Sequence, residues 1–259
     1  RSHRVNESMC EAGCGYITSL TSILPADTVI EGLIIKGTTL VATTNKATST
    51  SITVPDYIDT IGYGAFEYCR ALESISIPKS VKHIPYNVFE GCDNLKSIIV
   101  EDGNSVFDSR DNCNAINETK TNTMMFTCKA TTIPTSITSI GDYAFAKKEL
   151  REYLILPDHI TSIGCAAFEG CENLKFVQIG SAVESIGHEA FKDCISLEAV
   201  SIPNNVMKIG YHAFDGCGKL ESIFYTGTMA QWEEINLGAY WNNNCPAQVV
   251  HCTDGKVEL

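Results

Sequence analysis

The residues best equipped for chemistry are the cysteines, twelve in 259 residues, and several fall on a fixed beat. "IGYGAFEYC" ends at Cys69, "IPYNVFEGC" at Cys92, "IGCAAFEGC" at Cys171, "IGHEAFKDC" at Cys194 and "IGYHAFDGC" at Cys217. A thiol at a recurring position is a nucleophile, a metal ligand, half of a disulfide or a small apolar plug. The repetition weighs among these. Equivalent residues of stacked coils stand roughly 4.8 Å apart, within disulfide reach, but their Cβ atoms all point inward alike and a bridge needs them turned toward each other. Cysteine is among the most buried residue types, so the five are expected as a column of buried free thiols that pack and do not react.

The other cysteines have local readings. Cys128 lies six residues before Pro134, as Leu72 lies six before Pro78, and takes a leucine's core place. Cys165 is a local replacement beside Gly164. Cys10 and Cys14 ("CEAGC") are either a close pair or an incomplete metal site. Cys245 and Cys252 are either free or, in a secreted protein, bridged. His251–Cys252 lacks the second half of a zinc site.

No motif for catalysis accompanies them. There is no G-x-S-x-G elbow, no G-x-x-x-x-G-K phosphate loop, no H-E-x-x-H and no dinucleotide fingerprint. His83, His159, His188 and His212 fall at different, outward repeat positions, and His3 and His251 lie near the ends. The glycine of each I-G pair is expected to serve backbone conformation or close approach between coils. The reading is a non-enzyme without a cofactor. A net charge of −12 opposes nucleic acid as a partner, because phosphate binding needs a basic face. No apolar run approaches the ~18–20 residues of a membrane span, and no signal peptide is visible. With 44% hydrophobic residues the chain has ample material for a core.

The elements that position the cysteines follow from the period. Phe66, Phe89, Phe145, Phe168, Phe191 and Phe214 are 23 residues apart in four of five gaps; the fifth carries a 33-residue insertion. One unit, "CRALESISIPKSVKHIPYNVFEG" (69–91), places Leu72, Ile75 and Ile77 with the alternation of a short strand that Pro78 ends. Val81, Ile84 and Val88–Phe89 have the three-to-four spacing of a helical or 3₁₀ segment. One strand and one short helix cannot bury their own apolar faces, but stacked copies share a core. "GLII" with "TLVAT" (within 32–55) and "NAIN" with "TMMFT" (within 101–134) read as hairpins in two variant coils.

Five copies of I-[GP]-x-x-[AV]-F-x-x-C over roughly residues 30–255 resemble the BspA-type leucine-rich repeat of bacterial and protozoan surface proteins. The resemblance implies an α/β repeat solenoid, a right-handed array with one short strand and one short helical or 3₁₀ segment per 23-residue coil. Residues 1–29 match nothing and are expected to be a cap, a tag or poorly ordered. Repeats run over 30–226, and "GTMAQWEEI" with "VVHCTDG" mark a C-terminal cap over 227–259. It further implies an extracellular or cell-surface location and adhesion, with a protein or glycan ligand such as host extracellular matrix. The runner-up readings are a spacer in a larger surface protein and an accessory module of an enzyme.

A partner is expected on the outward strand positions. Most are small and polar. The exception is Tyr153, Ile155 and Phe176, which adjoining coils set side by side, and clustered exposed aromatics are the usual anchors of an interface. The repeat also breaks there: Lys148 replaces the column cysteine and Arg151 the leucine. Neither charge can be buried unpaired. A one-residue bulge is expected to bring Leu150 into the core and to leave Lys147, Lys148 and Arg151 as a basic spot beside the aromatics.

Overall fold

The computed structural model describes residues 28–30, 32–44 and 48–259; Cys10, Cys14 and nearly all of 1–29 lie outside these. Two compact units divide the chain, one up to Ile116 and one from Asn117 onward. Both are stacked-coil β structures.

In the second unit each coil contributes a strand to a parallel ladder. Tyr153–Ile155, Phe176–Gln178, Ala199–Ile202 and Ser222–Tyr225 pair in order, each residue opposite its counterpart 23 positions later. The alternation read in the sequence sets the faces: Val177, Val200 and Ile223 are buried while their neighbours point out. A second ladder was not expected. The two-residue strands Ser139–Ile140, Ser162–Ile163, Ser185–Ile186, Lys208–Ile209 and Asn236–Leu237 also pair in parallel, so each regular coil has two strands. After each of the first four a glycine packs against the backbone of the coil before it. A Cβ on Gly187 would come within 2.4 Å of the Gly164 carbonyl, and one on Gly210 within 2.5 Å of Gly187. Close approach, as expected, is what these glycines serve.

The expected helical segment is absent from the regular coils. Among the described residues the only helices are a 3₁₀ turn at Arg110–Asn112 and Met229–Glu233. Around each phenylalanine the backbone instead alternates in handedness. Ala166, Glu189 and His212, two residues before it, have φ of 50°, 57° and 54°; Gly170, Asp193 and Gly216, two after it, have 64°, 57° and 76°. This alternation turns every second N–H toward the next coil: Phe168 N–H donates to Ala190 O at 2.8 Å and Phe191 N–H to Ala213 O at 2.7 Å. An α-helix would spend those donors within the coil; here they join coils. A left-handed non-glycine residue costs on the order of 1–2 kcal/mol, and the inter-coil hydrogen bonds offset it.

Phe145, Phe168, Phe191 and Phe214 form one stacked column, with centroids 5.0–5.2 Å apart and planes within 8°. Cys171, Cys194 and Cys217 stand beside it, fully buried and free. Each thiol donates to the carbonyl of the phenylalanine one coil earlier, at 3.1, 3.2 and 3.1 Å. Cys128 is buried as expected, while Cys165 is half-exposed. The C-terminal segment continues the pattern with new parts. Thr228 and Gln231 form a capping box on the Met229–Glu233 helix, which seats Trp232 against Tyr225 and Trp241. Trp241 meets Phe214 edge-on, and Cys245 donates to Phe214 O at 3.0 Å. Cys245 is thus the last member of the thiol column; it and Cys252 are both free, not bridged. Val249–Cys252 extends the strand ladder and folds back as a hairpin with Gly255–Glu258.

The first unit uses the same parts. Leu33–Lys36 and Thr39–Thr43 form the expected hairpin, turning at Gly37 (φ 61°). Ser51–Thr53, Ser74–Ile77 and Ser97–Val100 form a parallel ladder. Phe66 stacks on Phe89 at 5.5 Å, and Cys69 and Cys92 are buried beside them.

Candidate partner-binding face

On the outer side of the second unit's ladder the paired positions form rows across the coils. Tyr153 lies opposite Phe176 and then Ala199; Ile155 lies opposite Gln178, then Ser201, then Phe224. The Tyr153 and Phe176 rings stack at 5.0 Å and 14°. Tyr153 is 65% and Ile155 68% exposed, and Phe176 is half-buried. All three stand on the same face. Phe224 and His251 make a smaller aromatic pair at 5.3 Å further along. A polar row borders the aromatics, in which Lys175 Nζ meets Glu152 Oε1 at 2.8 Å. That contact raises the Lys175 pKa.

The basic residues do not join this face as expected. Lys147 and Lys148 line a hollow of about 580 Å³ together with Glu149, Glu169, Glu172 and Asp193, on the turn side of the coils. Four acidic and two basic residues line it, so the spot is mixed in charge and not basic. The neighbouring coils supply three of the acids, which the local sequence does not reveal. Burial raises the Glu169 carboxyl above its ordinary value, with Lys147 opposing. Arg151 is exposed, apart from this hollow.

The expected bulge takes the form of a one-residue slip. In the next coils the residue after the column cysteine bonds back to the residue before it: Glu172 N–H to Gly170 O and Ile195 N–H to Asp193 O, both at 2.9 Å. Here Leu150 N–H bonds to Lys148 O, one position later, and the register has recovered by Tyr153. Leu150 reaches only half-burial, and so does Leu154, where the other coils bury a β-branched residue fully. The slip frees Lys148 and Arg151 from the core without drawing a full replacement in.

A further aromatic group was missed in the sequence. Tyr211 and Tyr240, 41% and 61% exposed, meet edge-to-face at 5.9 Å on the turn side, and His212 stacks on Tyr240 at 5.5 Å. His212 Nδ1 lies 2.7 Å from Asp215 Oδ2, whose carboxylate also accepts from the amides of Asn243 and Asn244. In the first unit Tyr63 and Tyr86 pair at the position Tyr211 occupies, three residues before the phenylalanine. That shared offset was the available signal. Among the described residues no group of three His, Cys, Asp or Glu side chains is placed to hold a metal ion, and no helix is long and apolar enough to cross a membrane.

Residues 42–130 and 124–245 match the BspA type leucine rich repeat region, in six copies. A leucine-rich repeat protein from Bacteroides ovatus is similar over 90% of this chain and 58% of its own, at 22% identity and a TM-score of 0.52. One from Eubacterium ventriosum is similar over 77% of both chains, at 16% identity and a TM-score of 0.50. These likenesses establish a shared fold. A leucine rich cell surface protein from Faecalibacterium prausnitzii is 25% identical over 72% of this chain and 62% of its own, with a TM-score of 0.49. The chain therefore spans about three-fifths of the length of the Bacteroides and Faecalibacterium proteins. No curated protein matches it.

Proposed function

The chain belongs to the BspA-type leucine-rich repeat family, and we propose that it is a non-catalytic binding module of a cell surface, which takes a macromolecular partner on the strand face of its second unit. The observation that carries this reading is the exposed stack of Tyr153 on Phe176, with Ile155 beside it. Apolar side chains at outward positions of a ladder contribute little to the fold, whereas aromatic groups of this kind dominate the energetics of interfaces. Between this cluster and the smaller Phe224–His251 pair the ladder face carries Ala199, Gln178 and Ser201, so the largest apolar contact it offers a partner is at Tyr153, Ile155 and Phe176. The cell-surface location and a host matrix ligand are parts of the same proposal, supported by the family.

The test is binding of the purified chain to immobilised fibronectin, fibrinogen and mucin, compared with the Tyr153→Ser/Phe176→Ser double variant. The variant should fold, by circular dichroism and thermal melting, and bind at least about 30-fold more weakly, a loss of roughly 2 kcal/mol. Unchanged affinity would place the partner elsewhere. Absence of binding by either protein, with retained stability, would favour the second reading: a spacer within a longer protein, consistent with relatives that extend well beyond this chain.

A further inference from the structure

Among the described residues the strand ladder of the second unit ends at Tyr153–Ile155. The sheet order begins with Tyr153–Ile155 and runs through Phe176–Gln178, Ala199–Ile202, Ser222–Tyr225 and Val249–Cys252 to Gly255–Glu258. Among the described residues Tyr153–Ile155 thus pairs with a strand on one side alone. The repeat predicts a preceding strand in "CKATTIP" (128–134), but that segment turns at Lys129–Ala130 and forms no strand. Among the described residues no backbone hydrogen bond joins residues 129–133 to residues 152–155. At the next step along, Lys175 and Phe176 N–H both donate to Glu152 O, at 2.8 and 3.0 Å.

Strand parity shows what the edge presents. Glu152 O accepts from Phe176 N–H, and Leu156 N–H donates to Gln178 O at 2.9 Å. Residues 152, 154 and 156 therefore turn their backbone groups into the sheet, and Tyr153 and Ile155 turn theirs out of it. Two N–H and two C=O groups in alternation face outward, from the strand that also carries the two most exposed apolar side chains of this face. Proteins usually shield such an edge with charge, proline or a bulge; this strand has none of these within its three residues.

We infer that an extended polypeptide segment of the partner adds as a strand alongside Tyr153–Ile155, with apolar side chains at alternate positions beside Tyr153 and Ile155. This rests on the proposed binding role of the same face and specifies how the partner is held. Only a peptide backbone offers donors and acceptors that alternate at the spacing this edge requires, and the outward side chains then select the sequence. A saccharide chain lacks that repeat.

A random 12-residue peptide library displayed on phage and panned on the chain supplies the probe, and the best synthetic peptide is then scanned by backbone N-methylation. Strand addition predicts a loss of at least tenfold at every second residue and little between. It also predicts that Ile155→Pro, which removes an outward N–H at an edge where proline is tolerated, abolishes binding without changing the melting temperature by more than a few degrees. If Ile155→Pro unfolds the chain, the N-methyl scan alone decides. Peptides lost in the Tyr153→Ser/Phe176→Ser variant but without N-methyl periodicity overturn strand addition and leave the docking face standing. Peptides indifferent to both sets of changes, or no enriched peptide, overturn both. Concentration-dependent dimerisation that the peptide dissolves would assign the edge to a second copy of the chain and overturn a foreign partner.

Discussion

The Cys194 thiol donates a hydrogen bond to the carbonyl oxygen of Phe168, 3.2 Å away and one coil earlier. The same carbonyl already accepts the N–H of Cys171 at 3.3 Å, so the thiol takes its second lone pair. This explains why cysteine recurs. The site needs a side chain small enough to stand beside a phenylalanine column, apolar enough to be buried, and still able to give one weak donor toward the preceding coil. Cys194→Ala keeps the burial and loses the donor and some volume, and should cost about 1–2 kcal/mol in urea unfolding. No loss would mean that the thiol is only tolerated there.

Phe191 is stacked on both sides, by Phe168 at 5.0 Å and Phe214 at 5.2 Å, and is fully buried. Phe191→Ala should cost about 3–5 kcal/mol, as for other buried aromatic truncations. A loss below about 1 kcal/mol would show that the column is not core.

Thiol reactivity should divide along the column. Burial, with other thiols as neighbours, pushes the Cys171 and Cys217 thiols up. Cys245, at the end of the column, is half-exposed. Alkylation of the native protein at pH 8, mapped by mass spectrometry, should label the half-exposed Cys165, Cys245 and Cys252. Cys69, Cys92, Cys171, Cys194 and Cys217 should stay unlabelled until denaturant is added. Fewer than five of these labelled after denaturation would contradict free thiols.

Much of this was legible in the sequence. A period of 23 located the phenylalanine and cysteine columns, and strand alternation put Tyr153, Ile155 and Phe176 outside the core, where they stand. The helical segment was misread for a physical reason. Successive tight turns bring apolar residues inward at the same three-to-four spacing as a helix, and the left-handed positions before the phenylalanine are filled by Ala166, Glu189 and His212, none of which marks that conformation as Gly170 and Gly216 do after it. Cys245 escaped because the last coil is five residues longer than the period, so its column place is reached by packing and not by count. The supposed basic spot failed because charge on a solenoid is summed across coils. Glu169 and Asp193 are remote from Lys147 in sequence yet share its hollow.

Acid should loosen the C-terminal coils first. Burial opposes ionisation of Asp215, but hydrogen bonds from Asn243, Asn244 and His212 outweigh it and hold the carboxyl below its ordinary value. A depressed folded pKa stabilises the fold above the unfolded value and loses that contribution as pH falls through the folded one. The melting temperature should therefore decline below about pH 4, and less steeply in Asp215→Asn than in the unchanged chain. Equal slopes would remove this carboxylate from the account.

The central claim is that the partner covers the strand face of the second unit and not the turn side. Hydroxyl-radical footprinting reads this directly, because both sides carry exposed aromatic rings: Tyr153 on the face, Tyr211 and Tyr240 on the turns. Oxidation is measured by mass spectrometry on the chain alone and on the chain saturated with the peptide selected by phage display. Tyr153 and Phe176 should be protected several-fold while Tyr211 and Tyr240 oxidise at unchanged rates. Protection of Tyr211 and Tyr240 with Tyr153 unaffected would contradict it and move the binding surface to the turns.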